Sequence, residues 1–416
     1  MTNFLQLLTA LIIILSAAKI AGHVSVKFGQ PSVFGELLIG IILGPSLVNL
    51  INLPFISDMH LIDTIDEMAE IGVLLLMFLA GIELHLRELA RSSRVAMFSG
   101  SLGVIFPILL GFLGGILLGM EFKIALFVGL TLAATSVSIS AQTLMELGYL
   151  KTRVGFGLLG AAVYDDIFVI LLLSIFVASI EGVFSAASVF LLILRMVIFF
   201  SLAGAFGYFI LPKLVKRVSA TSSSQGMLTF TLVMVFIYGL SAELIGNMAA
   251  ITGTFFAGLF FSRTIEKDQV SAGIQNLAYG FFVPIFFVSI GLKTNLRLFS
   301  LESLGFLIVM LLVAVISKIL GSGLGAKIGG LSWQESYQLG NGMISRGEVG
   351  LIVASIGANS GLITSAVLTD IVIIVLISTL ITPILLKKSF TNPPVFFIIK
   401  DKKASTIEPV KSEEVE

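Results

Sequence analysis

The sequence predicts an all-α membrane protein of about thirteen spanning helices, built as an inverted-topology repeat. Three observations carry this. Of the 416 residues, 57% are hydrophobic and 12% charged, where soluble domains carry about a quarter charged residues, and mean hydropathy is +1.08. Apolar stretches long enough for lipid follow one another along almost the whole chain. The second half also echoes the first at a spacing of roughly 200 residues.

An aqueous fold could not hide that much apolar surface, so lipid is the solvent. Lys and Arg number 25 against 25 Asp and Glu, which gives no charge argument for a nucleic-acid partner. The absence of cysteine excludes disulfides, thiolate metal sites and cysteine nucleophiles. The first apolar run has no Lys or Arg before it and is read as a retained helix rather than a leader.

A spanning helix needs about 20 apolar residues. On that rule the spans fall near residues 4–20, 31–50, 67–86, 96–119, 124–147, 155–180, 185–211, 226–244, 248–261, 280–292, 304–328, 336–358 and 362–386. Two of them, the ninth and tenth, are short.

Orientation follows from the loops, because Lys and Arg are retained in the cytoplasm. One set of alternate loops holds Lys27, Arg87, Arg91, Arg94, Lys151, Arg153, Lys213, Lys216, Arg217, Arg263, Lys267 and Lys327, and the chain past residue 386 adds six lysines. The opposite set holds Lys123, Lys293 and Arg297. This places the N-terminus outside and the C-terminus inside a cell (plasma or inner) membrane. The polar, acidic stretch 391–416 reads as a disordered cytosolic tail.

The repeat rests on two matches. Ala162-Val163-Tyr164-Asp165-Asp166-Ile167 in the sixth span resembles Ala366-Val367-Leu368-Thr369-Asp370-Ile371 in the thirteenth, which makes Asp370 the counterpart of Asp166. Gly81-Ile82-Glu83-Leu84-His85-Leu86-Arg87 resembles Gly291-Leu292-Lys293-Thr294-Asn295-Leu296-Arg297. The matched helices stand seven spans apart, so they cross in opposite directions, as in many secondary transporters.

Ionisable side chains cost about 2.5–3.5 kcal/mol at a helix centre on insertion scales, so each needs a partner or water. Asp165, Asp166, Lys318, Arg346 and Glu348 are such residues. Counted from their helix ends, Asp165 lies roughly 15 Å deep and Lys318 roughly 14 Å, so an ion pair between them is geometrically open. Adjacent helical residues point about 100° apart, so one aspartate can pair while the other faces a cavity. Two neighbouring carboxylates repel and burial penalises charge, which makes a site able to trade a proton for a small cation near neutral pH. Oxygen ligands suit hard cations, and few carboxylates with no acidic loop favour an alkali ion over calcium or magnesium.

The fifth span carries Thr135-Ser136-Val137-Ser138-Ile139-Ser140 at its middle, and the twelfth carries Gly342-Met343-Ile344-Ser345-Arg346-Gly347-Glu348-Val349-Gly350. Hydroxyls can satisfy backbone groups freed by unwinding, and glycines around a charged pair point to a broken helix. Two interrupted segments in matching places mark a transporter's site. Arg346 with Glu348 is read as a charge pair compensating exposed helix ends rather than as an ion ligand. Residues 321–326 mimic a dinucleotide loop but sit in an apolar helix with no preceding strand, so close helix packing is the reading. Lys19, Glu36 and Glu83 lie near helix ends and are read as snorkelling. Arg195 has no assigned partner.

Residues 342–352, with the core Arg346-Gly347-Glu348-Val349, and Phe282-Val283-Pro284-Ile285-Phe286-Phe287-Val288-Ser289-Ile290-Gly291 resemble the second monovalent cation:proton antiporter family, which contains the Nap and Kef transporters. The paired aspartates resemble the Nap-like sodium/proton branch. Kef-type potassium systems carry Gln-Asp there and usually a fused nucleotide-binding regulatory domain, and this chain has neither. The resemblance implies an NhaA/NapA-like antiporter fold and a homodimer. Helices one to three (1–94) and eight to ten (218–300) would form a scaffold. Helices four to six (95–182) and eleven to thirteen (301–390) would form a moving core, joined through helix seven (183–217). It also implies that the fifth and twelfth helices cross as unwound pairs through Thr135, Ser136, Arg346 and Glu348. Asp166 would be the principal cation and proton carrier, Asp165 would pair with Lys318 in the ion-free state, and transport would be electrogenic. Sodium ligands would be Asp165, Asp166 and Thr135, with no cofactor.

The expected function is exchange of Na+ or Li+ for H+ by alternating access, not enzymatic catalysis. A potassium/proton antiporter is the nearest alternative. An intramembrane aspartyl protease is remote, because Asp370 follows Val367-Leu368-Thr369 rather than the Gly-x-Gly that such enzymes need. A channel that kept the fold is the other.

Overall fold

The computed structural model describes residues 2–50, 53, 56, 60–84, 89, 91–180, 186–220, 225–293, 297, 299, 301–359 and 361–390. All regular structure among them is helical. The expected tail, residues 391–416, and positions 85–87 and 294–296 of the second repeat match lie outside the described residues.

The chain begins with α1 (Asn3–Lys27), α2 (Ser32–Leu43) and α3 (Leu61–Glu83), followed by α4 (Ser93–Leu117). The fifth span is split into α5 (Phe122–Ala133) and α6 (Val137–Leu147), and α7 (Arg153–Ile180) follows. Next come α8 (Ala186–Ala205), α9 (Leu211–Ser219), α10 (Gly226–Leu244) and α11 (Ala250–Phe261). The tenth span comprises α12 (Lys267–Leu277) and α13 (Val283–Leu292), and α14 (Leu304–Ile328) follows. The twelfth is split into α15 (Trp333–Gly342) and α16 (Glu348–Asn359), and α17 (Ser365–Ser389) ends the described chain. Nine helical stretches among the described residues are long and apolar enough to cross a membrane, and α2, α11 and the greater part of α16 are shorter apolar helices.

Three of the boundaries that differ from the hydropathy reading do so for a local reason. The second span stops at Leu43 because Pro45 forces Gly44 into an extended conformation (ψ −179°). The seventh continues past residue 211 to Ser219, since a π turn at Phe206–Ile210 absorbs the hydrogen bond that Pro212 cannot donate. The tenth starts at Lys267, because α12 is amphipathic and its Lys, Asp and Gln side chains dilute the apolar signal. A second π turn, Ala278–Phe282, joins α12 to α13 ahead of Pro284.

The helices pack in two sets. In one, α4 lies against α5, α7 and α14, while α17 lies against α14, α15 and α16. In the other, α3 lies against α11 and α13, α2 against α1 and α13, and α10 against α11. Small residues bring backbones together in both. In the first, a Cβ at Gly325 or Gly321 would strike the Phe98 or Leu102 carbonyl, which explains the glycine run of α14 as helix packing. In the second, a Cβ on Gly258 would lie 2.8 Å from the Ile82 nitrogen, and one on Gly81 would lie 3.0 Å from the Leu259 nitrogen. Gly258→Val is therefore expected to force α3 and α11 apart and to destabilise by about 1–3 kcal/mol. The measurement is thermal unfolding in detergent, and an unchanged midpoint would contradict the close contact.

Candidate functional site

The site is built where the two split spans meet. Ala134 to Ser136 are extended (Ala134 ψ 136°, Ser136 ψ 111°), and Ile344 to Gly347 are likewise non-helical. Backbone groups freed there cannot turn to water and must find protein partners. Ser136 donates its N–H to the Ser345 carbonyl at 2.9 Å, and the Ser345 hydroxyl donates to the Ser136 carbonyl at 2.6 Å. Ser140 donates to the Gly342 carbonyl, and Thr379 of α17 donates to the Arg346 carbonyl. Gly347 is small by necessity, since a Cβ there would sit 2.7 Å from Ser136 Cβ.

Arg346 is fully buried. Its guanidinium donates to the carbonyls of Leu132 (3.0 Å), Ile344 (2.7 Å) and Ala314 (2.7 Å). Leu132 lies in the last turn of α5, so the arginine neutralises the negative end of a helix that stops inside the molecule. The other half of the expected charge pair, the Glu348 side chain, lies outside the described residues.

Asp165 and Asp166 leave α7 in different directions. Asp165 turns into the first helix set, where Lys318 of α14 donates to its Oδ1 at 2.8 Å, both residues being fully buried. The Thr135 hydroxyl lies beside the same carboxylate and reaches the Ala133 carbonyl at 3.4 Å. Arg346 is near enough to act electrostatically on Asp165, and Lys318 acts on both aspartates. Asp166, 7% exposed, turns the other way, toward the second set. There Thr252 of α11 donates to its Oδ2 at 3.2 Å. Both residues line a small cleft with Met77, Val137, Ala162, Ile251 and Phe255.

Asp370 does not join this cluster. It is buried near the N-terminal end of α17 and accepts a bond from Ser303 at 2.8 Å.

Thr252 was not singled out from the sequence. The available signal was length: the ninth span, read as residues 248–261, covers about 21 Å as a helix, less than the bilayer core, so one of its ends has to lie inside.

Three residues read as snorkelling are instead engaged. Glu36 is buried, 6% exposed, because α1 packs over it at Gly22. Lys19 donates to the Tyr279 carbonyl at 2.8 Å, and Glu83 pairs with Lys151 at 2.5 Å. Helix-end position alone suggested a lipid interface; Glu36 is instead covered by a neighbouring helix and Glu83 partly so, while Lys19 keeps an exposed side chain. Nearby, Glu146 at the end of α6 accepts from the Ser32 N–H at 2.7 Å and its hydroxyl at 2.5 Å, across the two sets. Arg195 sits on the exposed face of α8.

Among the described residues no group of three or more His, Cys, Asp or Glu side chains is placed to hold a resident metal ion. What the arrangement offers is a buried carboxylate, Asp166, at the seam between two helix sets, backed by the Asp165–Lys318 pair within one of them.

Comparison with known proteins gives the family. A family model described as "sodium/hydrogen exchanger, transmembrane" matches residues 8–388. The chain is 41% identical over 380 residues to the probable Na(+)/H(+) antiporter GerT of Bacillus cereus, covering 91% of this chain and 98% of the relative. It is 40% identical to the Na(+)/H(+)-K(+) antiporter GerN of the same organism, covering 91% and 95%, and 37% identical to an Na(+)/H(+) antiporter of Enterococcus hirae, covering 92% and 98%. Its fold matches the sodium proton antiporter MjNhaP1 of Methanocaldococcus jannaschii with a TM-score of 0.65 at 18% identity, over 93% of this chain and 97% of that one. The chain is a multi-pass membrane protein that belongs to the sodium/hydrogen exchanger family.

Proposed function

We propose that this protein is a secondary transporter exchanging Na+ (or Li+) for H+ across the cell membrane by alternating access, with Asp166 as the group both ions occupy in turn. One observation carries the reading. Asp166 stands on the seam between two helix sets while its neighbour Asp165 is neutralised by Lys318 within one of them. The set holding both aspartates and the crossing (residues 95–182 and 301–390) is the moving core. Residues 1–94 and 218–300 are the scaffold, and 183–217 link them.

Competition at one carboxylate couples the fluxes. Asp166 gives up its proton on one side and takes sodium, with oxygens of the Thr135 and Asp165 region available as further ligands, and the core then slides to present the site opposite. The split helices and the Arg346 hub move with the core and keep its dipoles balanced. The Lys and Arg distribution supports a cytoplasmic C-terminus. The exposed apolar faces of α1 and α8 meet lipid, and the family resemblance supports a homodimer.

The test is proton flux in reconstituted vesicles titrated with sodium, lithium and potassium, with and without an imposed voltage. Saturable proton flux driven by sodium supports the proposal. Potassium alone as the driving ion would move it to the second ion named in the GerN relative, and current without proton movement would make it a channel. In the same vesicles, Lys318→Ala removes the buried partner of Asp165 and is expected to reduce the voltage dependence of exchange more than its turnover. An unchanged voltage response would count against a charge-carrying role for the pair.

A further inference from the structure

We propose that Thr252 is a positioning residue of the scaffold that holds the empty, ionised Asp166 in place and so prevents the unloaded core from crossing; this rests on the carrier reading of Asp166 above.

Thr252 is buried, 3% exposed, and its hydroxyl donates to Asp166 Oδ2 at 3.2 Å. The two residues belong to different helix sets: α7 packs against α4, whereas α11 packs against α3 and α10. A sliding motion of one set past the other must therefore break this bond. Thr252 lies in the first turn of α11, whose positive dipole end faces the same region. Its own N–H is already used by the Ala249 carbonyl at 3.0 Å, which leaves the hydroxyl as the hydrogen-bond donor. The scaffold residues that line the cleft beside it, Met77, Ile251 and Phe255, are apolar.

A hydrogen bond from a hydroxyl is strong when the acceptor is a carboxylate anion and weak when that charge is neutralised. The tie to Thr252 is thus strongest when Asp166 carries neither ion. Protonation or sodium binding at the same oxygens removes most of its strength and frees the core to move. An exchanger has to forbid one step, the return of the empty carrier, because that return turns exchange into one-way sodium flow. Thr252 places a barrier on that step alone.

The test uses the full chain in vesicles loaded with sodium, alkaline on both sides so that protons are scarce, with a voltage to drive sodium out. Sodium efflux and internal pH are followed together. Thr252→Val, which keeps the shape and removes the hydroxyl, is expected to raise proton-independent sodium efflux by about tenfold, the lower end for one charge-assisted hydrogen bond. Thr252→Ser is expected to restore coupling, and adding Asp166→Asn to Thr252→Val should abolish the leak.

Wild-type coupling in Thr252→Val would overturn the proposal, and so would an equal leak in Thr252→Ser. Loss of all exchange in Thr252→Val would also overturn it, by making the hydroxyl an essential ligand instead. Full exchange in Asp166→Asn alone would sink the carrier assignment, an outcome distinct from any of these.

Discussion

Asp166→Asn is expected to leave no sodium-driven proton flux above that of protein-free vesicles. Asparagine has nearly the same shape, and its carbonyl can still accept from Thr252, so the seam and the fold should survive the change. It cannot release a proton or present a negative charge to a cation, so both competing ions lose their site at once. This is why the effect should be complete rather than graded. Reconstituted protein that melts like the wild type yet gives no dye response to sodium is the predicted outcome. Full exchange by the variant would refute the mechanism at its root, since Asp166 is the carboxylate that the proposal makes both ions share.

The second large effect concerns folding. Arg346→Ala should strip hydrogen bonds from three buried carbonyls, those of Leu132, Ile344 and Ala314. Each buried, unsatisfied group costs about 1–3 kcal/mol, and no water is available in lipid to replace the guanidinium. The chain is therefore expected to lose several kcal/mol, on the order of 5, visible as failed insertion or a collapsed thermal midpoint in detergent. Arg346→Lys keeps the charge but lacks the planar fork that reaches three acceptors at once, and it should fall between. Wild-type stability in Arg346→Ala would show that the crossing is held by something else.

Much of this architecture was legible in the sequence because lipid imposes simple demands. A helix must be about 20 apolar residues long, and an isolated charge in the interior must be matched. Counting helical rise put Asp165 and Lys318 at equal depth, and in the structure they are 2.8 Å apart. Breaks in the fifth and twelfth spans could be read from hydroxyls and glycines, because those residue types accommodate unwound backbone.

What escaped was governed by packing. The α12 segment was cut off because polar residues on one face lowered its mean hydropathy, although the other face is buried through Val270 and Ile274. Glu36 was misjudged because position along a helix says nothing of the neighbour lying over it. Thr252 carried no signal of its own, since a threonine in an apolar run is ordinary until a second helix brings a carboxylate to it.

The contacts of Glu146 with Ser32 and of Lys151 with Glu83 both join the halves at the basic face. Opening that face would hydrate two acids and a lysine together, and partly exposed pairs of this kind are weakened by dissolved ions. The hold of the two halves on each other at these contacts is therefore expected to loosen as ionic strength rises, whichever ions supply it.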